Sequence, residues 1–263
     1  MMNKKLALSA LCAGLLISLN SYAITDQEKG LEIAVAADER DSGWGSMRAQ
    51  MEMILENRAG KTSTRKIESR QLEVDGDGDK SLSLFKEPRD VSGTAMLTFS
   101  HGVELDDQWL YLPALKRVKR ISSKNQSGPF MGSEFAFEDL GSQEVEKYTY
   151  RYLREEACGD NMQCTVSERI PAYENSGYKR QIIWIDKAEY RPIRIEFYDR
   201  KDALLKTLDF NVYREYNGYW RADQYRMENH QTGKKTLLNW RDIEFGAGLN
   251  ERDFNQNALK RLM

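Results

Sequence analysis

From Met47 to Phe245 the chain is a series of short segments in which apolar and polar side chains alternate, broken at intervals by Gly, Pro, Asn and Asp. A period of two puts successive side chains on opposite faces, so each segment reads as a β-strand with one buried face and one wet face. The first six cover residues 46–57, 63–74, 80–86, 93–100, 107–112 and 117–122. Six more follow at residues 146–155, 178–186, 192–199, 204–216, 219–230 and 234–245. The apolar triplets Ile193, Ile195, Phe197 and Leu208, Phe210, Val212 each predict a buried face, with Arg194, Glu196, Asp209 and Asn211 on the opposite one. Sheets with one wet face and short turns are antiparallel. The turns carry the chemistry such a meander needs: Asn217-Gly218, in which both residues tolerate positive φ, is the clearest hairpin signal in the chain.

Two segments read as helices. Thr25 and Glu28 are spaced as a capping box ahead of Leu31, Ala34 and Val35, which predicts a short amphipathic helix ending near Asp41-Ser42-Gly43. At the far end, Asn250 precedes Glu251 and Asp253, and Lys260 and Arg261 close the segment, the charge order of a terminal helix over 250–262. Between residues 123 and 142 lies the one long interval without alternation, and it carries Phe130, Met131, Phe135 and Phe137. Loops of that length in a compact domain are functional or disordered, and the aromatic residues argue against disorder.

The amino terminus changes the picture of where the protein works. Lys4 and Lys5 precede a largely apolar run, Leu6 to Leu19, and Ser21 and Ala23 supply the small residues of a cleavage site. This is the pattern of a secretory signal peptide over residues 1–23, with a run too short for a comfortable membrane span. Cys12 follows Leu11, which does not suit a lipobox, so the expectation is a soluble protein of the periplasm. Without Lys4 and Lys5 the 39 basic side chains become 37 against 41 acids, a mildly acidic protein without the basic surplus of a nucleic-acid binder. In an oxidising compartment Cys158 and Cys164 are expected to form a local disulfide, a loop clasp contributing roughly 2 kcal/mol. The spacing is wider than a Cys-x-x-Cys redox motif, and His101 and His230, the only histidines, lie far from both cysteines in sequence, which disfavours zinc.

Candidate chemistry is sparse. Asp75-Gly76-Asp77-Gly78-Asp79 resembles a calcium loop only superficially, because Lys80 and Lys86 stand where an EF-hand needs Gly and a bidentate Glu; a charged hairpin turn is the better reading. No nucleophile elbow, His-Glu-x-x-His or phosphate-binding loop is present, so no catalytic residue, metal site or cofactor is predicted and the chain does not read as an enzyme. Lys116, Arg117, Lys119 and Arg120 form the one dense basic run; on a strand their charges fall on both faces, as on an exposed edge strand, and they are also candidates for contact with a partner or an anionic headgroup. The five tryptophans and the Phe cluster supply bulk for a hydrophobic cavity or for an ordinary core.

Asp107-Gln108-Trp109-Leu110-Tyr111-Leu112-Pro113-Ala114-Leu115-Lys116-Arg117-Val118-Lys119-Arg120-Ile121, with Phe130-Met131-Gly132-Ser133, Phe137-Glu138-Asp139-Leu140 and Trp240-x-Asp242-Ile243, resembles the LolA-like outer-membrane lipoprotein-sorting family, in the branch typified by an uncharacterised treponemal lipoprotein. The resemblance implies a mainly β fold: one curved antiparallel sheet forming an incomplete, half-open barrel closed by a few helices, LolA/LolB-like, over a single domain at residues 24–263. It implies a carrier that binds acyl chains of a lipoprotein or lipid, and a partnership with an inner-membrane exporter of the resistance-nodulation-division superfamily. Trp109, Phe130, Met131, Phe135 and Phe137 are the expected cavity or lid residues. The alternative is an adaptor or sensor of similar fold that binds an envelope protein and carries no lipid.

Overall fold

The computed structural model describes residues 23–261. The leader reading falls on residues outside that range, apart from Ala23. Helix α1 (Asp26–Asp41) opens the fold, with Thr25 and Glu28 forming the expected capping box. The strands follow: β1 (Ser46–Glu56), β2 (Thr62–Leu72), β3 (Lys80–Glu87), β4 (Ala95–Phe99), β5 (Asp107–Leu112) and β6 (Arg117–Arg120). After a long connection come β7 (Tyr148–Gly159), β8 (Met162–Pro171), β9 (Tyr178–Asp186), β10 (Pro192–Asp199), β11 (Leu204–Tyr216), β12 (Tyr219–Asn229) and β13 (Lys235–Phe245). A short helix α2 (Gln256–Arg261) follows a single 3-10 turn, so the expected closing helix is present but shorter than 250–262.

All 13 strands form one sheet in the order β6-β5-β4-β3-β2-β1-β13-β12-β11-β10-β9-β8-β7. Every neighbouring pair is antiparallel, and each is a sequential hairpin except β1 with β13, which joins the two halves. The sheet does not close into a barrel, because β6 and β7 remain as its two edges. This is the mainly β, half-open architecture expected, with one strand, β8, that the alternation did not reveal.

The topology explains the long interval. The chain leaves one edge at β6 and must reach the opposite edge at β7, and residues 121–147 make that crossing. They pass along the concave face as four 3-10 turns (Ser123–Asn125, Phe130–Gly132, Phe137–Leu140 and Val145–Lys147) and an isolated bridge between Pro129 and Ala136. Phe130 and Phe135 join Met51, Ile67, Phe85, Ile195, Phe197, Leu208, Met227 and Leu238 in one core cluster. The segment is therefore a plug around which the sheet bends. Polar bonds fix it: the Lys206 ammonium donates to Glu134 O (2.8 Å) and Asp139 Oδ2 (2.7 Å), Tyr178 Oη donates to Asp139 Oδ1 (2.8 Å), and Asn229 Nδ2 donates to Glu134 Oε2 (2.7 Å). On the convex side, Phe254 and Leu259 cover Leu82, Leu84, Ala95, Leu97 and Tyr111.

One buried-face expectation fails at Val212. Leu208 is buried, but Val212 is 54% exposed at φ 57°, and the β11–β12 register passes from Asn211 to Tyr213 without it. The register is unchanged across it, with Asn211 opposite Gln224 and Tyr213 opposite Ala222, so no residue is inserted; the left-handed backbone at Val212 interrupts the ladder, and the next side chain, Tyr213, lines the concave face.

Candidate functional site

Beside the plug, under α1, the concave face holds a cavity of about 750 Å³, within the ~300–1,000 Å³ typical of sites for small molecules. Its roof is the inner side of α1, with Ile33, Ala34 and Ala37; its floor and walls are Ile183 and Ile185 of β9, Phe210 and Tyr213 of β11, and Trp220, Ala222 and Tyr225 of β12. The roof lies close because residue 30 is glycine. A Cβ there would come within 2.8 Å of Tyr152 N and 2.9 Å of Arg151 N, so only glycine lets the helix rest on the β7 backbone. Surface contacts hold α1 elsewhere: Arg40 with Glu189 (3.1 Å), Asp41 with Arg221, and the Lys29 ammonium 3.6 Å from the Tyr152 ring centroid.

The cavity is amphipathic. Four arginines line it, and three, Arg40 among them with Glu189, carry carboxylate partners. Arg191 pairs with Asp186 (2.5 Å) and lies against the Tyr213 and Trp220 rings; Arg221 pairs with Asp41. Arg169 is 5% exposed and, among the described residues, donates only to neutral acceptors, Gln181 Oε1 (2.7 Å) and Gln143 Oε1 (2.9 Å), with the Tyr148 ring beneath its guanidinium. Two residues earlier on the same strand, Ser167 also lines the cavity, and its buried hydroxyl has no hydrogen-bond partner among the described residues.

The cavity is also lined by acids, Asp38, Glu73, Asp75, Asp77, Asp79 and Glu144. Some of these charges are accounted for: Glu73 accepts from Gly43 N (2.6 Å) and Gly45 N (2.7 Å), and Asp77 lies 3.1 Å from His101 Nδ1. Burial, followed by the Glu144 charge, pushes the Asp79 carboxyl up to about 7. Desolvation raises Asp38 as well, reinforced by Glu144 and Glu146. Asp75, Asp77 and Asp79 belong to the β2–β3 turn, as the turn reading required.

The residues singled out from sequence fall elsewhere. Phe130 (1% exposed) and Phe135 (4%) are interior to the plug; Phe130 meets the Phe85 ring at 5.8 Å and the half-buried Phe137 at 5.7 Å. Met131 is half-buried beside them, and its carbonyl accepts from Arg65. Trp109 packs against Phe99 at 5.1 Å in the cluster under α2. These five residues do not line the cavity under α1. Lys116, Arg117, Lys119 and Arg120 are exposed on and beside edge strand β6, where Arg120 pairs with Asp107. Cys158 and Cys164 form the disulfide at the β7–β8 hairpin. Sequence reasoning missed Ser167 and Arg169; a Ser-x-Arg alternation between Val166 and Ile170 was the only signal they offered.

Comparison with known proteins agrees with this architecture. A domain from Vibrio parahaemolyticus, provisionally described as an outer membrane lipoprotein-sorting protein, is 59% identical over 89% of this chain and 100% of its own, with a TM-score of 0.87. The chain belongs to the LolA-like outer-membrane lipoprotein-sorting family. A family model described as an uncharacterized protein matches residues 77–261. A DUF1329 family protein from Desulfovibrio piger is 33% identical over 90% of this chain and 100% of its own, TM-score 0.85. A LolA superfamily protein from Nitrosomonas europaea, 21% identical over 90% of this chain and 100% of its own, shares the fold at a TM-score of 0.71. No curated protein matches the sequence. A lipid- or lipoprotein-binding carrier role is the general expectation for this LolA-like family member, and no enzyme family is indicated. Among its described residues no helix is long and apolar enough to cross a membrane.

Proposed function

We propose that the protein is a periplasmic carrier that shields acyl chains of a lipoprotein or lipid against the concave face of its sheet. The observation that carries this reading is the cavity of about 750 Å³ roofed by α1, with an apolar wall from Ile183, Ile185, Phe210 and Ala222. Each methylene taken from water contributes ~0.8 kcal/mol, so one or two chains supply useful affinity without covalent chemistry. The plug from Phe130 to Phe137 serves as an inner wall or lid: it borders the same concave face, and its displacement would add the Phe85, Phe197 and Met227 surfaces to the lipid space. The exposed basic edge at Lys116, Arg117, Lys119 and Arg120 is the contact proposed for an anionic membrane surface or for a delivery partner, an inner-membrane exporter of the resistance-nodulation-division superfamily.

The test is native mass spectrometry with lipid extraction on the mature protein purified without detergent from the periplasm. An acylated species that co-purifies supports the carrier and gives its cargo class. A clean apo mass that persists after incubation with lipoprotein and phospholipid refutes it and leaves the non-carrying adaptor.

A further inference from the structure

We propose that the cavity under α1 is built for the headgroup of a zwitterionic aminophospholipid, with the phosphate on Arg169 and Ser167 and the ammonium facing Asp38, Asp79 and Glu144. The inference rests on the carrier reading and adds the chemistry of the polar end of its cargo.

The argument begins with Arg169. A guanidinium that is 5% exposed and within reach of no carboxylate among the described residues is a buried charge without a counter-ion. Proteins avoid that arrangement because the lost hydration is not recovered, unless a ligand supplies the missing charge. The contrast within the same cavity is informative: Arg191 and Arg221 are neutralised by Asp186 and Asp41, while Arg169 is held in place by two glutamines that orient it and leave its charge unmet. Guanidinium is the side chain best matched to phosphate oxygens. Ser167 adds a second unmet donor, since its buried hydroxyl has no partner among the described residues and it lines the same cavity. Residues 167 and 169 lie on one face of β8, roughly 7 Å apart along the strand.

A simple anion does not account for the remainder of the site. The carboxylates of Asp38, Asp79 and Glu144 line the same cavity and raise the local cost of negative charge. Tyr150 lines the same cavity, and its phenol, raised mainly by burial, is also acted on by both the Arg169 charge and the Asp38 charge. A group that places a phosphate at one end and an ammonium at the other satisfies both, and the apolar wall receives the chains.

The experiment is a titration of delipidated mature protein with short-chain phosphatidylethanolamine and, separately, phosphatidylglycerol of the same chain length, followed by native mass spectrometry. Phosphatidylethanolamine is expected to bind at least tenfold more tightly. Arg169→Gln should weaken it tenfold or more, and Ser167→Ala, which removes a hydroxyl with no partner and so leaves the fold intact, about threefold. The paired change Asp38→Asn with Glu144→Gln should narrow the difference between the two lipids. Equal binding of both lipids, or wild-type affinity in both Arg169→Gln and Ser167→Ala, overturns the headgroup assignment while leaving the carrier standing. Binding of neither lipid overturns the headgroup site, and the carrier falls with it when lipoprotein also fails to bind.

Discussion

The close seating of α1 makes Gly30→Ala a sharp test of how the cavity is roofed. In an exposed helix this substitution stabilises by ~1 kcal/mol, since alanine is the better helix former. Here the new Cβ would stand 2.8 Å from Tyr152 N, 2.9 Å from Arg151 N and 3.0 Å from Arg151 C, where ordinary contact begins at 3.4 Å. All three are backbone atoms of β7, so no side-chain rotation relieves the overlap; the helix must lift by about 0.6 Å or the strand must yield. Overpacking of that kind costs ~1–3 kcal/mol and offsets or exceeds the propensity gain. Apart from the half-buried Ile33 and Ala37, the ties of α1 are pairs such as Arg40 with Glu189, an exposed one contributing ~0–1 kcal/mol, so the cost should fall on docking of the helix before it reaches the sheet. Hydrogen exchange checks this: amides of Asp26–Asp41 should lose protection in Gly30→Ala while β10 to β13 keep theirs, and bound lipid should dissociate faster. Glu32→Ala, exposed on the same helix, is the control and should change neither. A Gly30→Ala protein more stable by ~1 kcal/mol with α1 exchange unchanged would refute the close approach.

Asp79 has a folded-state pKa of about 7, well above its unfolded value, so the native state binds its proton more readily and this group lowers stability as pH rises from about 4 to 7; denaturant midpoints of Asp79→Asn should lack that part of the decline, and an unchanged pH profile would contradict the assignment. Lys206→Met removes one partner of a buried ion pair (4% and 8% side-chain exposure) together with the bond to Glu134 O, and should cost ~3–5 kcal/mol by equilibrium unfolding, with a loss near zero counting against the plug being anchored there. Reducing Cys158–Cys164 should cost no more than ~2 kcal/mol and leave lipid occupancy unchanged, since the bridge spans only six positions at a hairpin tip.

What the sequence disclosed and what it hid share a physical cause. Elements whose signals are local were legible: the Thr25–Glu28 box starts α1, Asn217-Gly218 turns β11 into β12, and the Asp75–Asp79 run turns β2 into β3. Val212 misled because a residue with left-handed backbone breaks the period of two without leaving a mark in composition. Bulky apolar residues were legible in another way. Phe130 and Phe135 read as cavity or lid residues, and aromatic content alone does not distinguish a plug packed at 1–4% exposure from the wall of an open space; Trp109 read the same way and packs instead in the cluster under α2. Strand β8 is the instructive omission. Its inward positions 167 and 169 carry Ser and Arg where alternation looks for apolar side chains, so it did not read as a strand with a buried face. A strand that turns a hydroxyl and a guanidinium toward the interior violates the pattern that builds a core, and such violations are retained where they serve a site. The irregularity that concealed β8 is thus the same feature that gives the cavity its polar end.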